Sequence, residues 1–107
     1  MSVKIWVDDV RPAPEGYIWC KSVNEARAQL SHCANWQIHV DIVDMDHDAG
    51  DYACDGGDYI ALLDWMQEYM VYFPIHIHSM NPVGVANMKR LIESDKYMKQ
   101  YFKGSVI

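Results

Sequence analysis

Short apolar runs that end in acid alternate along this chain with longer stretches of helical spacing. Residues 4–7 form a brief, mostly apolar run broken by Asp8 and Asp9. Pro12, Pro14 and Gly16 follow, so residues 11–16 cannot be helix interior and read as loop. Residues 17–20 are a second strand. Ser22 then opens a helix, with Glu25 at the capping-box spacing and Ala26, Leu30 and Cys33 on its inner face. A third strand over residues 38–45, rich in β-branched side chains, ends in Asp44, Asp46, His47 and Asp48 before Gly50.

Residues 53–57 read as loop. Asp58 is the expected cap of a helix carrying Tyr59, Leu62, Leu63, Met66 and Met70 on one stripe, which Phe73-Pro74 ends. Residues 75–79 alternate, so Ile75, Ile77 and Ser79 share one face and His76 and His78 the other. Asn81-Pro82 marks the next helix start, with Val85, Met88, Leu91 and Ile92 turned inward, and Tyr97 to Phe102 continue a helical spacing. Residues 104–107 receive no element.

Strands alternating with amphipathic helices predict an α/β fold in three layers, a mostly parallel sheet of four or five strands covered by helices. Ligands collect at the carboxyl ends of such strands, where Asp8, Asp9, Asp46, His47, Asp48, His78, Ser79 and Asn81 would meet. The 107 residues, half of them apolar, suit one domain over 1–107. A net charge of −6 disfavours non-specific nucleic-acid binding unless a local basic patch or a bound cation intervenes. No apolar run is long enough for a membrane span, and Asp8 and Asp9 interrupt any leader-like core, so a cytoplasmic protein without membrane contact is expected. Cys20, Cys33 and Cys54 form no C-x-x-C pair and are read as free thiols.

Close carboxylates repel by roughly 1 kcal/mol per pair in water and about 4 kcal/mol at a protein surface, so several at one edge call for a cation or a proton. Acids at strand ends also serve simply as turn formers, and for Asp8 and Asp9 alone that reading would suffice. Their repetition at Asp46 and Asp48 favours a site. A hard cation, Mg²⁺ first and Mn²⁺ or Zn²⁺ as alternatives, would leave coordination positions for a phosphate. His47 between two acids is either a general acid or a solvated loop histidine. His76 is read as packing or hydrogen bonding, whereas His78 at the strand end is the better candidate for chemistry. Ser79 and Asn81 precede a helix start that favours an anion, and Gly84 would admit a ligand to the backbone. The methionines and Trp6, Trp19, Trp36 and Trp65 are core or interface anchors by default, with one exposed aromatic left as a base-stacking alternative. The basic carboxyl-terminal third, from Lys89 to Lys103, reads as a solvated helix face.

The segments Val7-Asp8-Asp9-Val10-Arg11-Pro12-Ala13-Pro14-Glu15-Gly16-Tyr17, Asp46-His47-Asp48-Ala49-Gly50 and His78-Ser79-Met80-Asn81-Pro82-Val83-Gly84, with Asn87-Met88 beyond, resemble the cyclic-phosphate-processing receiver-like family. That resemblance implies a flavodoxin-like receiver fold, a metal-binding acidic pair at Asp8 and Asp9, a phosphoacceptor-type position at Asp46 and the receiver hydroxyl at Ser79. Departures are a Pro-rich loop where receivers have their first helix, no recognisable fifth strand bearing the receiver lysine, and unusual residues at 44 and 49. His47-Asp48 and His78-x-x-Asn81 add catalytic-type groups that a signalling receiver does not need.

The resulting expectation is a metal-dependent phosphoesterase for cyclic phosphates of nucleotides or RNA ends, its partner a phosphorylated small molecule or a nucleic-acid end. Asp8, Asp9 and Asp46 would hold the metal, and Asp46, His47, Asp48 and His78 would serve catalysis, His78 as proton donor to the leaving sugar oxygen. Arg11, Ser79, Asn81, Gly84 and Asn87 would contact substrate. A regulatory module phosphorylated on Asp46 and a non-catalytic nucleotide- or protein-binding domain are the alternatives. Oligomeric state is left open.

Overall fold

Alternation within the strands decides the architecture. In a computed structural model describing residues 1–107, β1 (Ser2–Val7), β2 (Tyr17–Cys20), β3 (His39–Met45), β4 (Ile75–Ile77) and β5 (Phe102–Ser105) form one sheet in the order β2-β1-β3-β4-β5. All four pairings are parallel. The connecting helices are α1 (Val23–Asn35), α2 (Ile60–Tyr69), α3 (Pro82–Glu93) and α4 (Lys96–Tyr101), with a 3₁₀ turn over Gly50–Cys54. No helix is long and apolar enough to cross a membrane.

The parallel, receiver-like α/β class predicted from the alternation is present, but the layering differs. The connections β2 to β3, β3 to β4 and β4 to β5 all step the same way across the sheet, and right-handed crossovers therefore place their helices on one face. Only β1 to β2 steps backward, and there the chain uses the Pro-rich loop 8–16 instead of a helix. Two layers replace the expected three. Ile5, Val7, Val43, Met45, Ile75 and Ile77 point to the helices and are fully buried, packing with Leu30, Leu63 and Met88 in a single core. Their strand neighbours Trp6, Tyr17, Trp19, Ile42 and His76 are only partly covered, and Lys4 is exposed.

Local signals hold with three exceptions, at Asp58, at Met70 and at Phe102, which is expected to continue a helical spacing and instead opens β5. Ser22 caps α1 by accepting from the Glu25 amide at 3.0 Å, and Asn81 caps α3 by accepting from the Gly84 amide at 3.1 Å. Asp58 does not cap α2; its carboxylate accepts from the Ala49 amide at 3.0 Å and ties down the loop after β3. Met70, expected on the inner stripe, ends α2 in the left-handed conformation and is exposed. The fifth strand, unassigned from sequence, begins at Phe102 and carries Lys103, which is exposed and lies two residues short of Ser105, the partner of Ile77. The three cysteines are free, and burial, with Glu25 nearby, pushes the Cys20 thiol up to about 12.

Candidate functional site at the carboxyl edge of the sheet

Asp8 follows the last residue of β1 and is buried. A carboxylate there needs donors, and the turn supplies them: Asp8 Oδ1 accepts from the amides of Val10 and Arg11, each at 2.9 Å. Asp8 Oδ2 lies 2.8 Å from His78 Nε2. Burial alone would raise the Asp8 pKa, but the two amides and His78 outweigh it and hold the carboxyl below its ordinary range.

His78 is 5 % exposed and held on every side. Its Nδ1 is 2.8 Å from Asp44 Oδ1, and its ring stacks on Trp6 with centroids 3.9 Å apart. His76 Nδ1 approaches the same Asp44 oxygen at 2.9 Å. Both His78 nitrogens face carboxylate oxygens, an arrangement that favours the doubly protonated ring. Burial opposes that charge, yet the bonds to Asp44 and Asp8 prevail and raise the His78 pKa. Asp44 is lowered in turn, burial being outweighed by His78 and His76. This Asp8–His78–Asp44 row is the part of the site that sequence reasoning missed. The signal was available, because alternation puts Asp44 on the face of both histidines and the register sets it beside His76 and Trp6.

Asp46, just past β3, accepts from the His47 amide at 2.7 Å. Ligand atoms of Asp8, Asp46 and His78 all lie within 4.8 Å of one another. Asp9 sits beside this group: burial, with repulsion from Asp8 and Asp46, raises its pKa. A side chain at Gly50, where φ is +55°, would overlap the Asp9 carboxylate. The donor set is thus two of the three expected carboxylates plus an imidazole, with Asp9 at its border.

A second chain of contacts runs along the same edge. His47 Nδ1 lies 2.9 Å from Asp48 Oδ1, and Asp48 Oδ2 accepts from Asn81 Nδ2 at 3.2 Å. The bond to His47 is the main reason that Asp48 titrates low. Since Nδ1 is taken, Nε2 is left with no partner in the protein. The room that Gly84 was expected to give a ligand is filled by the His47 ring, which any Cβ at that position would strike. Ser79 is buried, its hydroxyl accepting from the Asn81 amide at 3.1 Å. Arg11 reaches over β4 to donate to the His78 carbonyl at 3.3 Å. Asn87 lies on the exposed side of α3, accepting from Arg90, and makes no hydrogen bond to the edge.

None of the three concave pockets of the fold is lined by these residues; the largest, about 440 Å³, lies between α1 and α2 around Arg27 and Trp65. At the acidic edge Asp8 and His78 are buried, and Asp9, Asp46 and His47 are half-buried. Among known proteins, the family model described as cyclic-phosphate processing receiver domain matches residues 3–94. No curated protein and no solved structure matches the chain.

Proposed function

This chain belongs to the cyclic-phosphate processing receiver domain family, and we propose that within it the chain is a metal-dependent phosphoesterase opening cyclic phosphates of nucleotides or RNA ends. The observation that carries the reading is the convergence of Asp8, Asp46 and His78 within 4.8 Å, next to a separate His47–Asp48 pair. The donor chemistry fits a divalent cation: two carboxylates suit Mg²⁺ or Mn²⁺, and an imidazole whose Nδ1 is fixed by Asp44 suits Mn²⁺ or Zn²⁺. Asp8 and Asp46, with Asp9 alongside, would hold that cation in the place of the His78 Nε2 proton. When bound it would polarise a phosphoryl oxygen and make a water more acidic.

The chain's own groups divide the remaining work. Arg11 and the Val83 amide hold the non-bridging phosphate oxygens; Pro82 has no amide proton, and the Gly84 and Val85 amides are bonded to Asn81. Asn81 fixes Asp48, and Asp48 fixes the Nδ1 proton of His47, which leaves Nε2 free to hand a proton to the leaving sugar oxygen. In the reaction one ester P–O bond breaks, the water oxygen bonds to phosphorus and loses one proton to solvent, and the leaving sugar oxygen takes one from the Nε2 of doubly protonated His47, which regains it from solvent, so that protons balance over the turnover. His78, first expected as that donor, has Nδ1 on Asp44 and Nε2 turned to Asp8 and the cation position, so it has no proton to spare and the donor role passes to His47. Signalling through a phosphorylated Asp46 has less support, since Lys103 lies away from this edge.

The test is turnover of a panel of 2′,3′- and 3′,5′-cyclic nucleotides with Mg²⁺, Mn²⁺ or Zn²⁺. Opening to a monophosphate that Asp46→Ala abolishes is expected. No product with any metal on any member of the panel overturns the reading.

A further inference from the structure

The sheet face without helices differs in chemistry from the covered one. Where the covered face presents valine, isoleucine and methionine, the open face presents Tyr17 and Trp19 on β2, Lys4 and Trp6 on β1, and Asp44 and His76 further across. Its apolar side chains, Trp6, Tyr17, Trp19 and Ile42, are only partly covered. The aromatic rings are interleaved with cations: the Lys4 ammonium lies 5.5 Å from the Tyr17 ring centre and the Lys21 ammonium 4.5 Å from that of Trp19. The patch is continuous with the acidic edge, because Trp19 Nε1 donates to the Asp8 carbonyl at 2.7 Å and Trp6 lies under His78.

We propose that this open face is a platform for a single-stranded nucleic acid, whose bases stack on Trp19 and Tyr17 while Lys21 and Lys4 turn from the rings to its phosphates. That the strand ends in a cyclic phosphate at Asp8 and Asp46 rests on the function proposed above; the platform itself does not. Aromatic side chains on an exposed sheet are a general means of holding unpaired bases. Tyr17 and Trp19, two residues apart on one strand face, stand about 6.6 Å apart along it, far enough for two bases to stack separately. The net charge of −6 opposes a long footprint, so binding rests on stacking and on the two local lysines. Two neutralised phosphates give a shallow salt dependence, a slope of about −1.4 in log K against log salt for a single strand.

Anisotropy of a labelled RNA hexamer with an ordinary 3′-hydroxyl end, which offers nothing to hydrolyse, tests the platform. We expect binding that Trp19→Ala weakens about tenfold and Trp19→Phe largely keeps, and that exposed Lys4→Gln weakens while flattening the salt slope by about 0.7. A duplex of the same sequence, its bases stacked on each other, should compete poorly. The proposal is overturned by absence of hexamer binding, by indifference to both Trp19→Ala and Tyr17→Ala, by equal competition from the duplex, or by a dimer in sedimentation that Trp19→Ala dissolves. Trp19-dependent binding without turnover of any cyclic ester would remove the phosphoesterase reading alone; turnover of cyclic mononucleotides without hexamer binding would remove the platform alone.

Discussion

Trp6 and His78 lie ring upon ring, their planes 4° from parallel and their centres 3.9 Å apart, with the imidazole edge clamped between Asp8 and Asp44. The ring is thus held by two carboxylates and an aromatic face. His78 has a raised pKa in the folded chain, so its stabilising contribution is complete below the unfolded value near 6.5 and is lost as pH rises through the folded value. Without metal, the melting temperature should fall as pH increases above neutrality, and His78→Gln should flatten that decline. Asp8 and Asp44, both lowered, act in the opposite window: their contribution is present above about 3.9 and disappears as pH falls through their depressed values. A melting profile unchanged above neutrality in the wild type would contradict the clamp.

Replacing one member of the clamp should cost more than its size suggests. Asp44→Ala leaves His76 and His78 without their shared acceptor; because Asp44 is partly exposed and His78 keeps Asp8, the cost should be about 1–3 kcal/mol. Urea unfolding of this variant should show the loss, whereas Asp41→Ala on the exposed part of β3 should move stability by under about 0.5 kcal/mol.

Added Mn²⁺, Zn²⁺ or Mg²⁺ should raise the melting temperature and release protons, because a cation between Asp8 and Asp46 displaces the His78 Nε2 proton. At a concentration 100 times Kd the stabilisation is about 2.7 kcal/mol. Asp46→Ala should remove both signals, and proton release measured in weak buffer separates this from a general salt effect.

Gly84→Ala tests the positioning of His47. The added methyl meets the imidazole ring, so the ring must leave its place beside Asp48. Turnover should fall about a hundredfold, within the span typical for a displaced general acid, with the helical circular dichroism retained. Full activity in this variant would take His47 out of the chemistry.

The layering predicts unequal costs for neighbouring apolar side chains. Ile77→Ala opens a hole in the helix-covered core and should cost about 2–5 kcal/mol. Ile42→Ala, on the open face, should cost less than half as much in the same denaturant titration.

Much of this was legible because local signals and topology agree. Ser22, Asn81 and the 3.6-residue stripes located α1, α2 and α3, and acids after β1 and β3 located the edge. β5 escaped because its four residues include exposed Lys103 and Gly104, leaving no alternating pattern to read. The missing third layer was hidden for another reason: counting alternating elements does not reveal which way each connection steps. Asp44 went unassigned as a partner of His78 because pairing across strands depends on register, and alternation alone leaves open which residue of β3 lies opposite His76.

The loop that stands in for a first helix has a mechanical effect at the acidic edge. Loop 8–16 stitches strand ends together: its Val10 and Arg11 amides donate to Asp8, the Arg11 guanidinium donates to the His78 carbonyl, and the Trp6 indole donates to the Arg11 carbonyl at 2.9 Å. A change that loosens this one turn is therefore felt at two strands at once.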